Sequence, residues 1–66
     1  MNAKKIGERL ASLRGNKPIV RVADDLNISP SALSMYENGE RIPRDNIKIR
    51  IAAYYGKPIQ DIFFAE

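Results

Sequence analysis

The stretch Val22-Ala23-Asp24-Asp25-Leu26-Asn27-Ile28-Ser29-Pro30-Ser31-Ala32-Leu33-Ser34-Met35-Tyr36-Glu37-Asn38-Gly39 reads as two short amphipathic segments with three residues between them. Ile19, just upstream, joins Val22, Ala23 and Leu26 at i, i+3, i+4 and i+7, the stripe of one helix face. Asn27 tolerates the left-handed backbone that a helix C-terminus often needs. Ile28 is apolar and suits a place inside the turn. Ser29 followed by Pro30 is a start signal, with Ser as N-cap and Pro at the first helical position, where its missing N–H costs nothing. The segment after it is predicted to run through Asn38 and stop at Gly39. At about 100° per residue, Leu33, Tyr36 and Glu37 share one face, while Ser31, Ser34, Met35 and Asn38 share the other. The first face can pack inward. The second is small, polar and uncharged, with one flexible apolar residue.

Two helices joined by so short a turn, the second with a polar outward face, form a helix-turn-helix arrangement. The major groove of DNA admits one α-helix, and its base edges carry distinct donor and acceptor patterns. The preceding helix braces the reader and meets the phosphate backbone.

Upstream, Ile6, Leu10 and Leu13 recur at i, i+4 and i+7, predicting a first helix that ends near Gly15-Asn16, with Pro18 in the first turn of the second. Downstream, residues 39–43 form a loop. Residues 44–55 carry two patterns at once. Ile47-Lys48-Ile49-Arg50-Ile51 alternates as a half-buried strand would. The Asp45-Asn46 start, the Ala52-Ala53 pair and Gly56 as a stop favour a helix. Pro58 then opens a last short helix carrying Ile59, Ile62 and Phe63. No repeat or linker interrupts the chain, so one domain over 1–66 is expected.

A chain of 66 residues buries a modest share of its surface, and domains this small are usually reinforced by disulfides, a metal or oligomerisation. Cys and His are both absent. That removes disulfides, thiolate nucleophiles, the commonest metal ligand and the usual general base. No catalytic residue, metal, cofactor or small-molecule ligand is therefore expected, the enzyme class is disfavoured, and self-association becomes the favoured reinforcement. The apolar runs are too short to span a membrane. Met1-Asn2-Ala3-Lys4-Lys5 leads into mixed charge rather than an apolar signal region, so a cytoplasmic protein is expected. Eleven Lys and Arg against eight Asp and Glu give a net charge of +3, which suits a polyanionic partner. Lys17, Arg21, Arg41, Arg44 and Lys48 lie around the candidate reading helix and are candidate phosphate contacts.

Residues 22–29 followed by Ser31-Ala32-Leu33-Ser34-Met35-Tyr36-Glu37-Asn38-Gly39-Glu40-Arg41-Ile42-Pro43 resemble the Cro/lambda-repressor helix-turn-helix family, whose bacterial members are called XRE-type regulators. The Glu-x-Gly-x-Arg-x-Pro loop is distinctive, and residues 51–56 with 59–63 look like the family's closing two helices. The resemblance implies an all-α, five-helix lambda-repressor-like fold with helices 2 and 3 as the helix-turn-helix, and makes residues 44–55 helical. By similarity, Pro30, Ser31, Ser34 and Met35 occupy base-reading positions. Asn38, Arg41 and Arg44 match phosphate-contacting positions, and Ser29 adds a phosphate role to its cap. The family often pairs a first-helix Arg with the loop Glu, here Arg14 and Glu37; an inward carboxylate needs such a partner in any case. The sequence departs from the family where Ile19 replaces a phosphate-donating Gln, and where Asn27 replaces the turn Gly. The reading face also lacks Gln and Arg, so its residues offer single hydrogen bonds and methyl contacts rather than bidentate ones.

The function so implied is sequence-specific binding of double-stranded DNA by a homodimer, as a transcriptional repressor on a palindromic operator. Tyr36, Tyr54 and Tyr55 are core candidates, as is Phe63, which also joins the candidate dimer contacts. Ile59, Phe63 and Phe64 are candidate dimer contacts, Phe64 above all because it lies off the Ile59-Ile62-Phe63 stripe. The competing reading is a protein-interaction module, such as an antitoxin of the same fold that sequesters a partner protein.

Overall fold

Asn2 opens the first helix in the computed structural model, which describes residues 1–65. Its side chain accepts the Lys5 N–H at 3.1 Å, satisfying one of the amides that a helix start leaves without a partner. Among the described residues five helices follow in chain order: α1 (Ala3–Arg14), α2 (Ile19–Leu26), α3 (Pro30–Glu37), α4 (Asp45–Tyr55) and α5, a single wide π-type turn (Gln60–Phe64). No strand occurs among the described residues. No helix among them is long and apolar enough to cross a membrane.

The core draws on every helix: Ile6 and Leu10, then Val22, Ala23 and Leu26, then Leu33 and Tyr36, then Ile51 and Ala52, and finally Ile62 and Phe63. Leu13, Ile19 and Ile28 pack against its edge. Residues 44–55 are helical, and the strand-like alternation has a plain cause. Ile51 is buried, but Ile49 is 62% exposed, so the middle isoleucine is a surface residue and not part of the apolar stripe.

The turn between α2 and α3 closes as its residues dictate. Asn27 adopts φ 58°, and its N–H donates to the Asp24 carbonyl while the Ile28 N–H donates to the Ala23 carbonyl, each at 3.0 Å. This paired closure satisfies carbonyls that the helix end would otherwise strand. Arg50 of α4 donates to the Leu26 carbonyl at 2.7 Å. Ser29 then caps α3, its hydroxyl oxygen accepting the Ala32 N–H at 3.0 Å. Pro18 stands one residue ahead of its predicted place, at the N-cap of α2 rather than inside its first turn.

α1 crosses α3 at Gly7. A Cβ at that position would run into the carbonyl oxygen of Glu37 and come within 2.8 Å of that of Tyr36. The absent side chain is what lets the two helices approach so closely. From the other flank of α1, Arg9 donates to the carbonyls of Ile62 and Ala65 at 2.8 and 2.7 Å, fastening α5.

The expected dimer stripe needs correction here. Phe63 is 1% exposed and belongs to the core of its own chain. Full burial of such a ring is worth roughly 1.5–3 kcal/mol, which turning it toward a second copy would forfeit. Ile59 is half-buried against the same core, and of the three expected contacts Phe64, 50% exposed, is the one that shows much of its ring to solvent.

Candidate nucleic-acid interface

The orientation of α3 is set from its inward side. Leu33 and Tyr36 are buried. The Glu37 carboxylate, with a side chain 7% exposed, is met by Arg14 in a two-pronged bond, Nε to Oε2 at 2.8 Å and Nη2 to Oε1 at 3.0 Å. Arg14 also donates through Nη1 to the Lys17 carbonyl at 2.8 Å, so one guanidinium ties the end of α1 to both α3 and the approach to α2. The hydrogen bond to Glu37, helped by its charge, holds the Arg14 guanidinium above its usual range, against the opposing effect of partial burial.

With that side fixed, Ser31 and Asn38 are exposed and Ser34 and Met35 are half-buried on the opposite side. Pro30 and Ser29 are exposed at the helix start. The cap uses an acceptor lone pair of the Ser29 hydroxyl, which leaves its proton able to donate. The loop after α3 is held against it, with the N–H groups of Glu40 and Arg41 both directed at the Met35 carbonyl, at 2.9 and 3.4 Å. Gly39 supplies φ 75° for this reversal, and Pro43 is buried at the far side of the loop. Arg41 and Arg44 consequently stand exposed on a braced segment.

Lys17 and Arg21 gather elsewhere, where α2 meets α4. Arg21 pairs with Asp25 at 3.2 Å, Tyr54 donates to the other Asp25 oxygen at 2.7 Å, and the Lys17 ammonium lies 5.3 Å over the Tyr54 ring. The Tyr54 hydroxyl, then the charges of Arg21 and Lys17, hold the Asp25 carboxyl below the usual range despite some desolvation. The same bond pushes the Tyr54 phenol up. Both cations are exposed, but Arg21 already has a carboxylate partner.

Lys48 corrects the sequence reading. It is 6% exposed, with its ammonium 3.4 Å from Asp45 and 5.3 Å over the Phe64 ring. Its aliphatic stem helps cover the core edge, as long basic side chains commonly do. A phosphate contact would require lifting Phe64 away. Ile19, the residue in place of a phosphate-donating Gln, packs against the core and offers no polar group.

Sequence patterning did not single out Glu40. It is exposed, and its carboxylate accepts from the Asn38 side-chain amide at 3.4 Å, which brings an acid onto the outward side of α3. Its position two residues after Asn38 was the available signal. No group of three Asp or Glu residues suited to a metal ion forms among the described residues.

Residues 9–62 match the helix-turn-helix family. Comparison with curated proteins gives no match. Among solved structures, the chain is similar to the clp gene regulator ClgR from C. glutamicum, with 21% identity over 97% of this chain and 86% of that one, at a TM-score of 0.80. At that identity the likeness is one of fold.

Proposed function

This chain belongs to the XRE-type helix-turn-helix family of DNA-binding transcription regulators, and we propose that it acts as a homodimeric repressor that binds a palindromic operator with α3 in the major groove. One observation carries this. The Arg14–Glu37 fork and the buried Leu33 and Tyr36 turn Ser31, Ser34, Met35 and Asn38 away from the core.

Pro30, Ser31, Ser34 and Met35 read base edges, with hydroxyls for single hydrogen bonds and the thioether for thymine methyls. Such a face discriminates weakly per contact, so sequence-dependent DNA shape contributes to site choice. Ser29, Asn38, Arg41 and Arg44 hold phosphates and fix the register. Lys17 adds long-range attraction, as does Arg21 in competition with Asp25. A second copy is supported by the exposed apolar side chains of Phe64 and Ile49. Two copies set α3 in successive grooves about 34 Å apart. The chain works as one cytoplasmic domain.

Selection of bound sites from random duplexes, followed by gel shifts at low salt, tests the proposal. A two-fold symmetric sequence preferred over random DNA is the expected result. Equal binding of all duplexes would overturn specific regulation.

A further inference from the structure

Glu40 bears on which sequence is chosen. Its root is fixed, because the Glu40 N–H bonds the Met35 carbonyl at 2.9 Å, in the last turn of α3. Its carboxylate is exposed and accepts from Asn38 Nδ2 at 3.4 Å, and the same amide reaches the Ser34 hydroxyl at 3.5 Å. Ser34, Asn38 and Glu40 thus form one polar row along the outward side of the helix. An ionised carboxylate only accepts hydrogen bonds. Against DNA it is repelled by phosphate and by the acceptor edges of guanine and thymine, and it is matched only by the exocyclic amino groups of cytosine and adenine.

From this we propose that Glu40 is a specificity-determining residue. It accepts from the amino group of a cytosine or adenine at one base position of each half-site and penalises a guanine or thymine at that position, whose major-groove edge offers only acceptors. The inference rests on the regulator reading above. It gives that otherwise small and neutral face a charged discriminator, which lowers affinity for DNA in general while sharpening the choice of site.

The test measures equilibrium binding of the wild-type chain and Glu40→Gln to the selected duplex, to each of its single base-pair variants and to a random duplex. Gln keeps the size but adds a donor, so it tolerates acceptor edges. The wild type is expected to discriminate about tenfold at one symmetric base pair, and the base preferred there distinguishes cytosine from adenine. Glu40→Gln is expected to reduce that ratio to about twofold or less at that pair alone, and to bind random duplex more tightly. The exposed position predicts unchanged melting. A variant that keeps every base preference of the wild type overturns this inference and leaves the regulator reading standing. A wild-type chain with no preferred duplex overturns both.

Discussion

Arg14 and Glu37, 23 residues apart in sequence, meet through two parallel hydrogen bonds of 2.8 and 3.0 Å, and this fork decides which way α3 faces. Glu37 is largely enclosed while Arg14 keeps some contact with water. Removing one partner leaves the other charge enclosed without compensation, a cost of roughly 3–5 kcal/mol in buried pairs. Because Arg14 is partly wet, the lower end applies, and Glu37→Ala is expected to lose about 3 kcal/mol by urea or thermal unfolding. Arg14→Lys keeps the charge but not the planar fork, and about 1.5 kcal/mol is expected to go with the lost charged hydrogen bond. Unchanged melting in both variants would remove the fork from the account of α3.

Gly7 makes a different demand on the same helix. Exchange of Gly for Ala inside a helix ordinarily stabilises by up to about 1 kcal/mol. Here the new methyl meets the backbone carbonyls of Tyr36 and Glu37, which cannot rotate aside as a side-chain end would. Overpacking of that kind costs about 1–3 kcal/mol or more, so the clash wins. Gly7→Ala is expected to melt at lower temperature by circular dichroism and to bind DNA more weakly, since α3 must move to admit the methyl.

These two contacts mark how far the sequence was legible. The stripes of α1, α2 and α3 follow from periodicity, and the turn at Asn27–Ser29 follows from the conformational preferences of Asn, Ser and Pro. The Arg14–Glu37 pair was legible because an inward carboxylate must find a cation. Gly7 was not, because a glycine on an apolar flank carries no sign of which backbone comes near it. Lys48 was misread for a related reason: charge alone gives no hint that Phe64, sixteen positions later, folds over the ammonium. The alternation of Ile47, Ile49 and Ile51 left a strand open beside the favoured helix, because periodicity assigns every apolar residue to a buried face, and Ile49 has none. Phe63 and Phe64 are adjacent and chemically equal; the Ile59-Ile62-Phe63 stripe already sets them apart, and the structure puts Phe63 in the core and leaves Phe64 half exposed.

Tyr55 supplies a pH-dependent test of the packing around Glu37. Its hydroxyl is buried and has no hydrogen-bond partner among the described residues. Burial first, then the neighbouring negative charge of Glu37, push the phenol up to about 12 from an ordinary value of 10.0. The folded value lies above the unfolded one. The stability linked to the neutral phenol is therefore fully present below pH 10 and lost as pH rises from there through about 12. Tyr55→Phe is expected to remove that alkaline loss in unfolding curves measured between pH 9 and about 12. At neutral pH it is expected to be as stable as the wild type or more stable by about 1 kcal/mol, since an unpaired buried hydroxyl is itself a cost.

The division between reading and holding DNA predicts two separable binding phenotypes. Arg41 is exposed on the loop braced against Met35, and in the proposed reading it neutralises a phosphate whatever the sequence. Arg41→Ala is expected to weaken selected and random duplexes alike and to flatten the slope of log K against log salt by about 0.9, the counterion equivalent of one phosphate. Met35→Ala is expected to leave that slope alone and to lose about tenfold on the selected duplex only, the scale of one lost groove contact. Lys48→Ala separates burial from charge. Were Lys48 a phosphate ligand, its variant would behave as Arg41→Ala does. Because its ammonium lies over Phe64 and beside Asp45, the variant is expected to lower stability and keep the wild-type salt slope. Fluorescence anisotropy titrations at four salt concentrations distinguish the three patterns, and a flattened slope for Lys48→Ala would show that Phe64 lifts away when DNA binds.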